Sequence, residues 1–383
     1  MKNRTYRAAP LFAALFVFAF ALGLAPARAY ETEAKQAILI DWDTNAVLFE
    51  KNADELMHPS SMSKMMTLYY LFEKLKSGAV KLDDEFPVSE KAWRMGGSKM
   101  FVKVGDKVKV EDLIQGIAVQ SGNDACIVVA EALGGTEDAF AEQITRRAHE
   151  LGLTDSTFKN ATGWPNPEHL TTARDLALLA RHTIADFPEY YHYYDELTFT
   201  YNNIKQGNRN PLLYTESGAD GLKTGHTDDG GYGVTASAKR GGRRLIMVIN
   251  GLPSVKARAE ESERLMDWGF REFDNYALFA SDEPVSEAEV WLGDAAAVPL
   301  VSESDIKVTL PRKARREMKV SVKYDGPIPA PIAKGDQIAT LAITAPDMDE
   351  IDLPLVAGAD VHRLGFAGRI MAALKQIVWG RLQ

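Results

Sequence analysis

One cysteine, Cys126, is all that the 383 residues contain, so no internal disulfide can form. It lies in the apolar run 125–130 and reads as a small core residue rather than a reactive one. Long hydrophobic runs are equally scarce. The stretch from Leu11 to Leu24 has 14 residues, short of the ~20 that a membrane-spanning helix needs. Basic charge is in deficit, with 44 Lys and Arg against 53 Asp and Glu, a net charge of −9. A chain this acidic is a poor partner for nucleic acid. Internal repeats and low-complexity linkers are absent too, which excludes a solenoid. Apolar residues make up 46% and charged residues 25%, the balance of a globular protein, and the length suits two domains.

The two ends depart from this composition. Lys2, Arg4 and Arg7 precede the Leu11–Leu24 run, and Ala27-Arg28-Ala29 follows it. That is the pattern of an export signal, with cleavage expected after Ala29. Removing residues 1–29 takes away four basic residues and no acidic ones, leaving 40 against 53 and a net charge of −13. At the other end, no acidic residue follows Asp360. Residues 362–383 place Phe366, Ile370, Met371, Leu374, Ile377 and Val378 on one side of a helical wheel, with Arg369, Lys375 and Gln376 off it. This predicts an amphipathic helix lying on an anionic membrane surface. A helix packed on its own domain is the competing reading.

Between the ends, residues 36–50 read as two strands joined by an Asp-Thr-Asn turn. Helices are predicted over 110–134, broken at Gln120-Ser121-Gly122-Asn123, and over 137–151, 172–183 and 254–273, with a buried strand at 244–250. Near residue 276 the character changes. Helical patterns stop, and short alternating strands appear at 288–292, 306–310, 318–324 and 337–343. This predicts a small all-β sandwich over 276–361 that carries no cluster of groups suited to chemistry.

The chemistry-bearing stretch is Pro59-Ser60-Ser61-Met62-Ser63-Lys64. Met62, Met65, Met66, Tyr69, Phe72 and Leu75 step by three and four, so an apolar helix is expected to open here, capped by Ser60 or Ser61. Ser61 and Lys64 would then stand one turn apart on one side. A serine hydroxyl needs a base, and a lysine made neutral by burial can serve. The spacing recurs at Ser156…Lys159 and Ser304…Lys307, neither of which opens an apolar helix. Two further motifs follow in order. Ser121-Gly122-Asn123 sits in a helix break, and Lys223-Thr224-Gly225-His226-Thr227 reads as an edge strand along a cleft.

Ser-x-x-Lys, Ser-x-Asn and Lys-Thr-Gly in that order are the signature of the serine penicillin-recognising enzymes. The chain resembles the low-molecular-mass penicillin-binding proteins, serine-type D-alanyl-D-alanine carboxypeptidases. Residues 120–125, 208–210, 220–227 and 243–246 resemble family blocks closely. The resemblance implies an α/β (α+β) penicillin-binding, β-lactamase-like catalytic domain over 30–275, with a central antiparallel sheet flanked by helices. It implies no cofactor and no metal. The partners would be peptidoglycan peptides ending in D-Ala-D-Ala, β-lactams as covalent inhibitors, and a membrane surface on the periplasmic side. Ser61 would attack the penultimate D-alanine carbonyl and Lys64 take its proton. Ser121 would relay a proton to the departing amine, and Asn123 would hold Lys64 and the substrate amide. Lys223, Thr224 and, in addition, Arg209 would recognise the terminal carboxylate. Gly225 belongs to the same strand motif, and the main chain of His226 would share the oxyanion site with that of Ser61.

Two alternatives stand beside this reading. A class A β-lactamase needs a Glu-x-x-Leu-Asn motif. Here Glu150-Leu151-Gly152-Leu153-Thr154 lacks the asparagine, and a freely diffusing lactamase would not account for the β domain and tail. A penicillin-binding protein that has lost turnover is the other alternative.

Overall fold

The structure is a computed structural model, and it describes residues 30–346, 348–366 and 368. The predicted export signal and most of the predicted amphipathic helix, 367 and 369–383, lie outside the described residues. A five-stranded antiparallel sheet forms the centre of the first domain. Its strands are β1 (Gln36–Asp41), β2 (Val47–Lys51), β3 (Ala219–Thr227), β4 (Gly231–Arg240) and β5 (Arg243–Leu252). Their spatial order is β2-β1-β5-β4-β3, so the Lys-Thr-Gly strand is an edge, as its sequence suggests.

Strand β1 is buried along its whole length, and alternation divides it between two faces. Ile38 and Ile40, with Ile246 and Val248 of β5, join one large core. That core is completed by α1 (Lys64–Lys76), α2 (Val110–Ala118), α3 (Asn123–Gly134), α4 (Glu137–Glu150) and α5 (Ala173–Asp186). The alternate residues Leu39 and Leu245 meet Gly269 of α6 (Val255–Glu272). The sheet is thus flanked by helices. Three of them start where a hydroxyl can cap exposed N–H groups: Thr136, Thr172 and Ser254 accept from the backbone of Ala139, Asp175 and Ala257.

α1 departs from expectation at its start. Residues Ser60–Ser63 form a single 3-10 turn, the α-helix begins only at Lys64, and neither Ser60 nor Ser61 caps it. The physical reason lies in Ser60, whose φ of 52° puts it in the left-handed region that serine rarely adopts. The chain arrives at the helix through a bend, and Ser61 is lifted out of the helical ladder.

The second domain follows α6 directly. Strands β6 (Phe273–Phe279), β7 (Pro284–Trp291), β8 (Ala297–Val301), β9 (Ile306–Pro311), β10 (Lys319–Lys323), β11 (Ile328–Pro329), β12 (Gln337–Thr344) and β13 (Ile351–Ala357) build it. A six-stranded sheet, β10-β12-β13-β8-β7-β11, shares its core with the β6–β9 pair through Ala288, Leu300, Leu310, Leu341 and Leu355. Strands β8 and β13 were not anticipated, because Ala-Val-Pro-Leu-Val and Leu-Pro-Leu-Val lack clear alternation and contain prolines.

Candidate active site

The three motifs lie on elements that pack together: α1 packs against α3, which follows the break, and against edge strand β3. Lys64 is fully buried, and its Nζ lies 2.8 Å from Ser61 Oγ and 2.5 Å from the Thr162 carbonyl. Burial pulls its amine from the ordinary lysine value down to about 8. Cys126 and Asp124 oppose that shift, and Arg209 adds to it. Cys126 itself is buried, its thiol pushed up to about 12, in keeping with a core residue.

Ser121 sits at φ 62°, a second left-handed serine beside the site. Its Oγ is buried and makes no hydrogen bond among the described residues. A buried hydroxyl without a partner is costly, so a group that completes it on binding gains more than an ordinary hydrogen bond. Asn123 departs from expectation. Its Nδ2 donates to the Gly96 carbonyl at 2.9 Å, and the Lys64 amine is held by Ser61 and Thr162 instead. Its backbone N–H donates to Ser98 O, and the next residue, Asp124, accepts from the N–H groups of Met100, Phe101 and Val102. The Ser-Gly-Asn motif therefore also anchors the loop at 96–102.

On β3, Lys223 is 2% exposed, and among the described residues its Nζ reaches only the Thr224 carbonyl, at 3.3 Å. Burial first, then Lys64 and Arg209, hold its amine well below the ordinary lysine value. Gly225 is required by close approach: a Cβ there would lie 2.8 Å from the Pro59 carbonyl oxygen and 3.1 Å from Ser60 Cβ. Its hydrogen lets β3 run against the turn that carries Ser61. The His226 ring stacks on Tyr232 at 3.8 Å. Behind the strand, Arg244 pairs with Asp220 at 2.6 Å, which also accepts from Tyr191.

Arg209 donates to Ser98 Oγ at 2.6 Å, so it closes the loop that Asn123 opens. Its neighbours in the Asn-Arg-Asn block are structural. Asn208 donates to the carbonyls of Tyr194 and Glu196, and Asn210 to that of Gly221. Sequence reasoning missed Arg258 on α6, which is 6% exposed, donates to the Arg209 carbonyl and leaves its Nε unpartnered. A signal existed. Arg258, Ser262, Leu265 and Gly269 share one buried face at steps of three and four, and an arginine in an apolar stripe needs a reason.

Lys64, Lys223, Arg209 and Arg258 thus crowd one site, and among the described residues no carboxylate side chain hydrogen-bonds any of them. Such a site is built for an anion. The lookalike serines do something else. Ser156 is buried and donates to Asp175, and Lys159 pairs with Glu168. Glu150, the nearest approach to a β-lactamase glutamate, pairs with Arg147 at an exposed position.

Fold and site together define a serine hydrolase on a helix-flanked antiparallel sheet with an appended β domain. The profile of D-alanyl-D-alanine carboxypeptidases matches residues 24–253, and that of the penicillin-binding protein 5 C-terminal domain matches residues 273–363. The D-alanyl-D-alanine carboxypeptidase DacC of Escherichia coli is 38% identical over 346 residues, spanning 88% of this chain and 86% of the relative. Penicillin-binding protein 5 from Haemophilus influenzae superposes with a TM-score of 0.80 at 35% identity, over 88% of this chain and 99% of that one. Penicillin-binding protein D2 from Listeria monocytogenes, in its ampicillin-bound form, matches with a TM-score of 0.58 at 28% identity, over 63% of this chain and 99% of that one. The chain belongs to the D-alanyl-D-alanine carboxypeptidase family, as a serine-type enzyme with a penicillin-binding protein 5 C-terminal domain.

Proposed function

We propose that Ser61 is the nucleophile and Lys64 its base, removing the terminal D-alanine from peptidoglycan peptides through an acyl-enzyme. The observation that carries this is the 2.8 Å approach of a fully buried lysine amine to Ser61 Oγ, with that amine's pKa brought to about 8. Near neutral pH a useful fraction of Lys64 is then uncharged and can accept the hydroxyl proton as Ser61 Oγ bonds to the carbonyl carbon. The carbonyl oxygen becomes an oxyanion, received by the backbone N–H groups of Ser61 and His226. As the C–N bond breaks, the proton passes through the Ser121 hydroxyl to the leaving D-alanine amine. Water then attacks the ester, and Lys64 acts in reverse.

The cluster of Lys223, Arg209 and Arg258 supplies the reason for a free terminal carboxylate. Its charge offsets the buried Lys223 and Arg258 together with the more exposed Arg209, and raises the proton affinity of Lys223, so that both partners are ionised in the complex. A β-lactam presents a strained amide and a carboxylate to the same groups, which makes it a covalent inhibitor of this chain. Export to the periplasm and attachment to the outer face of the inner membrane complete the reading. They rest on the sequence patterns of residues 1–29 and 362–383.

The test is release of D-alanine from a soluble peptide ending in D-Ala-D-Ala by purified protein. Peptide mapping of penicillin-labelled protein should place the adduct on Ser61. Adduct formation with no peptide turnover would instead favour a binding protein that has lost catalysis.

A further inference from the structure

The nucleophile hangs on a buried turn that hydrogen bonds hold as well as packing. Ser60, just before Ser61, is in the left-handed region, and on one side it borders a cavity of about 220 Å³ lined also by His58, Gly163, Trp164, His169 and Thr227. Beside that space, hydrogen bonds tie the turn to its neighbours. Ser60 Oγ lies 2.8 Å from Thr227 Oγ1, which ties it to the end of β3. Its carbonyl oxygen accepts from Ser63 Oγ at 2.8 Å. Ser63 Oγ in turn lies 2.8 Å from His169 Nε2.

The direction of this chain can be derived. The backbone N–H of Lys159 donates to His169 Nδ1 at 3.2 Å, so Nδ1 carries no proton. The neutral imidazole must then hold its proton on Nε2 and donate to Ser63 Oγ. A hydroxyl has one hydrogen, and that of Ser63 is directed to the Ser60 carbonyl. The order is Lys159 N–H to His169, His169 to Ser63, Ser63 to Ser60. His169 is 2% exposed, its ring meets the Phe158 ring edge-on at 5.5 Å, and its carbonyl accepts from His58 Nδ1 at 3.2 Å. Burial, with Lys64 and His58 adding to it, drives the imidazole pKa down to about 3, which keeps the donor pattern intact. Gly163 seals the arrangement. At φ 75° it passes so close that a Cβ would fall 1.8 Å from the Ser60 carbonyl oxygen.

We propose that His169 and Ser63 are positioning residues for the nucleophile. They hold the Ser60 carbonyl, and through it the strained turn that sets the Ser61 hydroxyl and N–H for attack and for the oxyanion. Neither touches substrate, so their loss is read in the chemical step rather than in binding. The inference rests on Ser61 as the acylated residue. Mapping the penicillin label in every variant keeps failure of that reading apart from failure of this one.

The experiment compares the acylation rate constant per titrated active site, and kcat and KM for peptide, in His169→Phe, His169→Gln, Ser63→Ala and the double variant His169→Phe/Ser63→Ala. Losing one buried hydrogen bond in the chain should slow acylation about tenfold in His169→Phe and in Ser63→Ala, with KM within about twofold of wild type. The double variant should be no slower than the worse single variant, because both changes break one chain. His169→Gln, which keeps an N–H toward Ser63, should recover most of the rate. Ser63→Ala removes one oxygen atom and decides the question even if His169→Phe does not fold. Unchanged acylation per active site in Ser63→Ala, additive losses in the double variant, or a loss confined to KM would overturn the proposal.

Discussion

The two domains bury different things. The first encloses Lys64, Asp124, Asp175, Lys223, Arg243 and Arg258, all at most 8% exposed. Among the described residues of the second, from Phe273 on, the buried polar side chains are Ser302 and Thr309, and the rest of its core is aliphatic. Its ion pairs, such as Lys323 with Glu350, lie on the surface, where they contribute little. Burying a charge is costly unless it is paired, so a domain that does so repeatedly is held by something other than stability alone. Asp124 and Asp175 are satisfied by backbone N–H groups and hydroxyls. Arg243 is paired with the fully buried Asp41. The cations at the cleft are left without such partners. The contrast marks where the catalytic work is done, and it separates the structural charges of the first domain from its functional ones.

The sharpest way to break this contrast is to keep the charge at position 64 and remove its ability to lose a proton. Arginine stays protonated in proteins. Lys64→Arg should therefore lower acylation by about 10²–10⁴-fold, the contribution of a general base, while the melting temperature changes little. The same argument fixes the pH dependence. Lys64 must be unprotonated, and its pKa lies near 8, so acylation should rise with pH below that value and level off above it. Stopped-flow acylation by a chromogenic β-lactam between pH 6 and 10 measures both. A wild-type rate in Lys64→Arg, or a rate that falls as pH rises through 8, would remove Lys64 from its role.

A smaller effect sharpens the same contrast from the substrate side. If Lys223, Arg209 and Arg258 lack carboxylate partners because they await one, a peptide ending in D-alaninamide leaves the buried Lys223 and Arg258 uncompensated. Its kcat/KM should fall by roughly 10²–10³-fold, the cost of removing one partner from a desolvated charge pair. Arg258→Ala should narrow the gap between acid and amide substrates, whereas a surface change such as Lys256→Ala should not. Equal turnover of acid and amide by the wild type would show that the cations serve stability.

Most of the fold was legible because its signals were periodic. The apolar steps of α1, the break before Asn123 and the loss of helical pattern beyond 276 all follow from side-chain spacing. Lys64 lies within hydrogen-bond reach of Ser61, as their spacing implied. What the sequence hid was set by main chain or by distant partners. The 3-10 turn at Ser60–Ser63 depends on the left-handed Ser60, and nothing in Pro-Ser-Ser announces it. The hold on Lys64 comes from a carbonyl, Thr162, which any residue could supply. Asn123 was assigned to Lys64 by resemblance, whereas here it braces the Gly96 loop. Arg258 was masked by the many charges of its helix, since only its place on the buried face sets it apart.

The smallest expected effect on turnover concerns the far end of the chain. The β domain keeps hold of it through the backbone bond of Leu364 to Leu292 and that of Asp294 to His362. Two residues later Phe366 is a large apolar side chain that is 74% exposed. In the sequence pattern it is the first of the apolar residues Phe366, Ile370, Leu374 and Ile377, the last three beyond the described residues. Arg369, Lys375 and Arg381 follow in a chain that is otherwise acidic. Near an anionic bilayer each such charge contributes about 1 kcal/mol, and the apolar stripe adds to it. The reading is that this segment holds the protein on a membrane while the catalytic cleft works apart from it. Truncation after Leu364 keeps the tie to the β domain and removes the stripe. Full-length mature protein should then sediment with vesicles containing anionic lipid, less so at high salt. The truncated protein should stay in the supernatant, with its turnover of a soluble peptide within about twofold of the full-length value, since Ser61, Ser121 and Lys223 all precede the β domain. Sedimentation that survives the truncation, or a full-length protein that ignores anionic vesicles, would place the attachment elsewhere or nowhere.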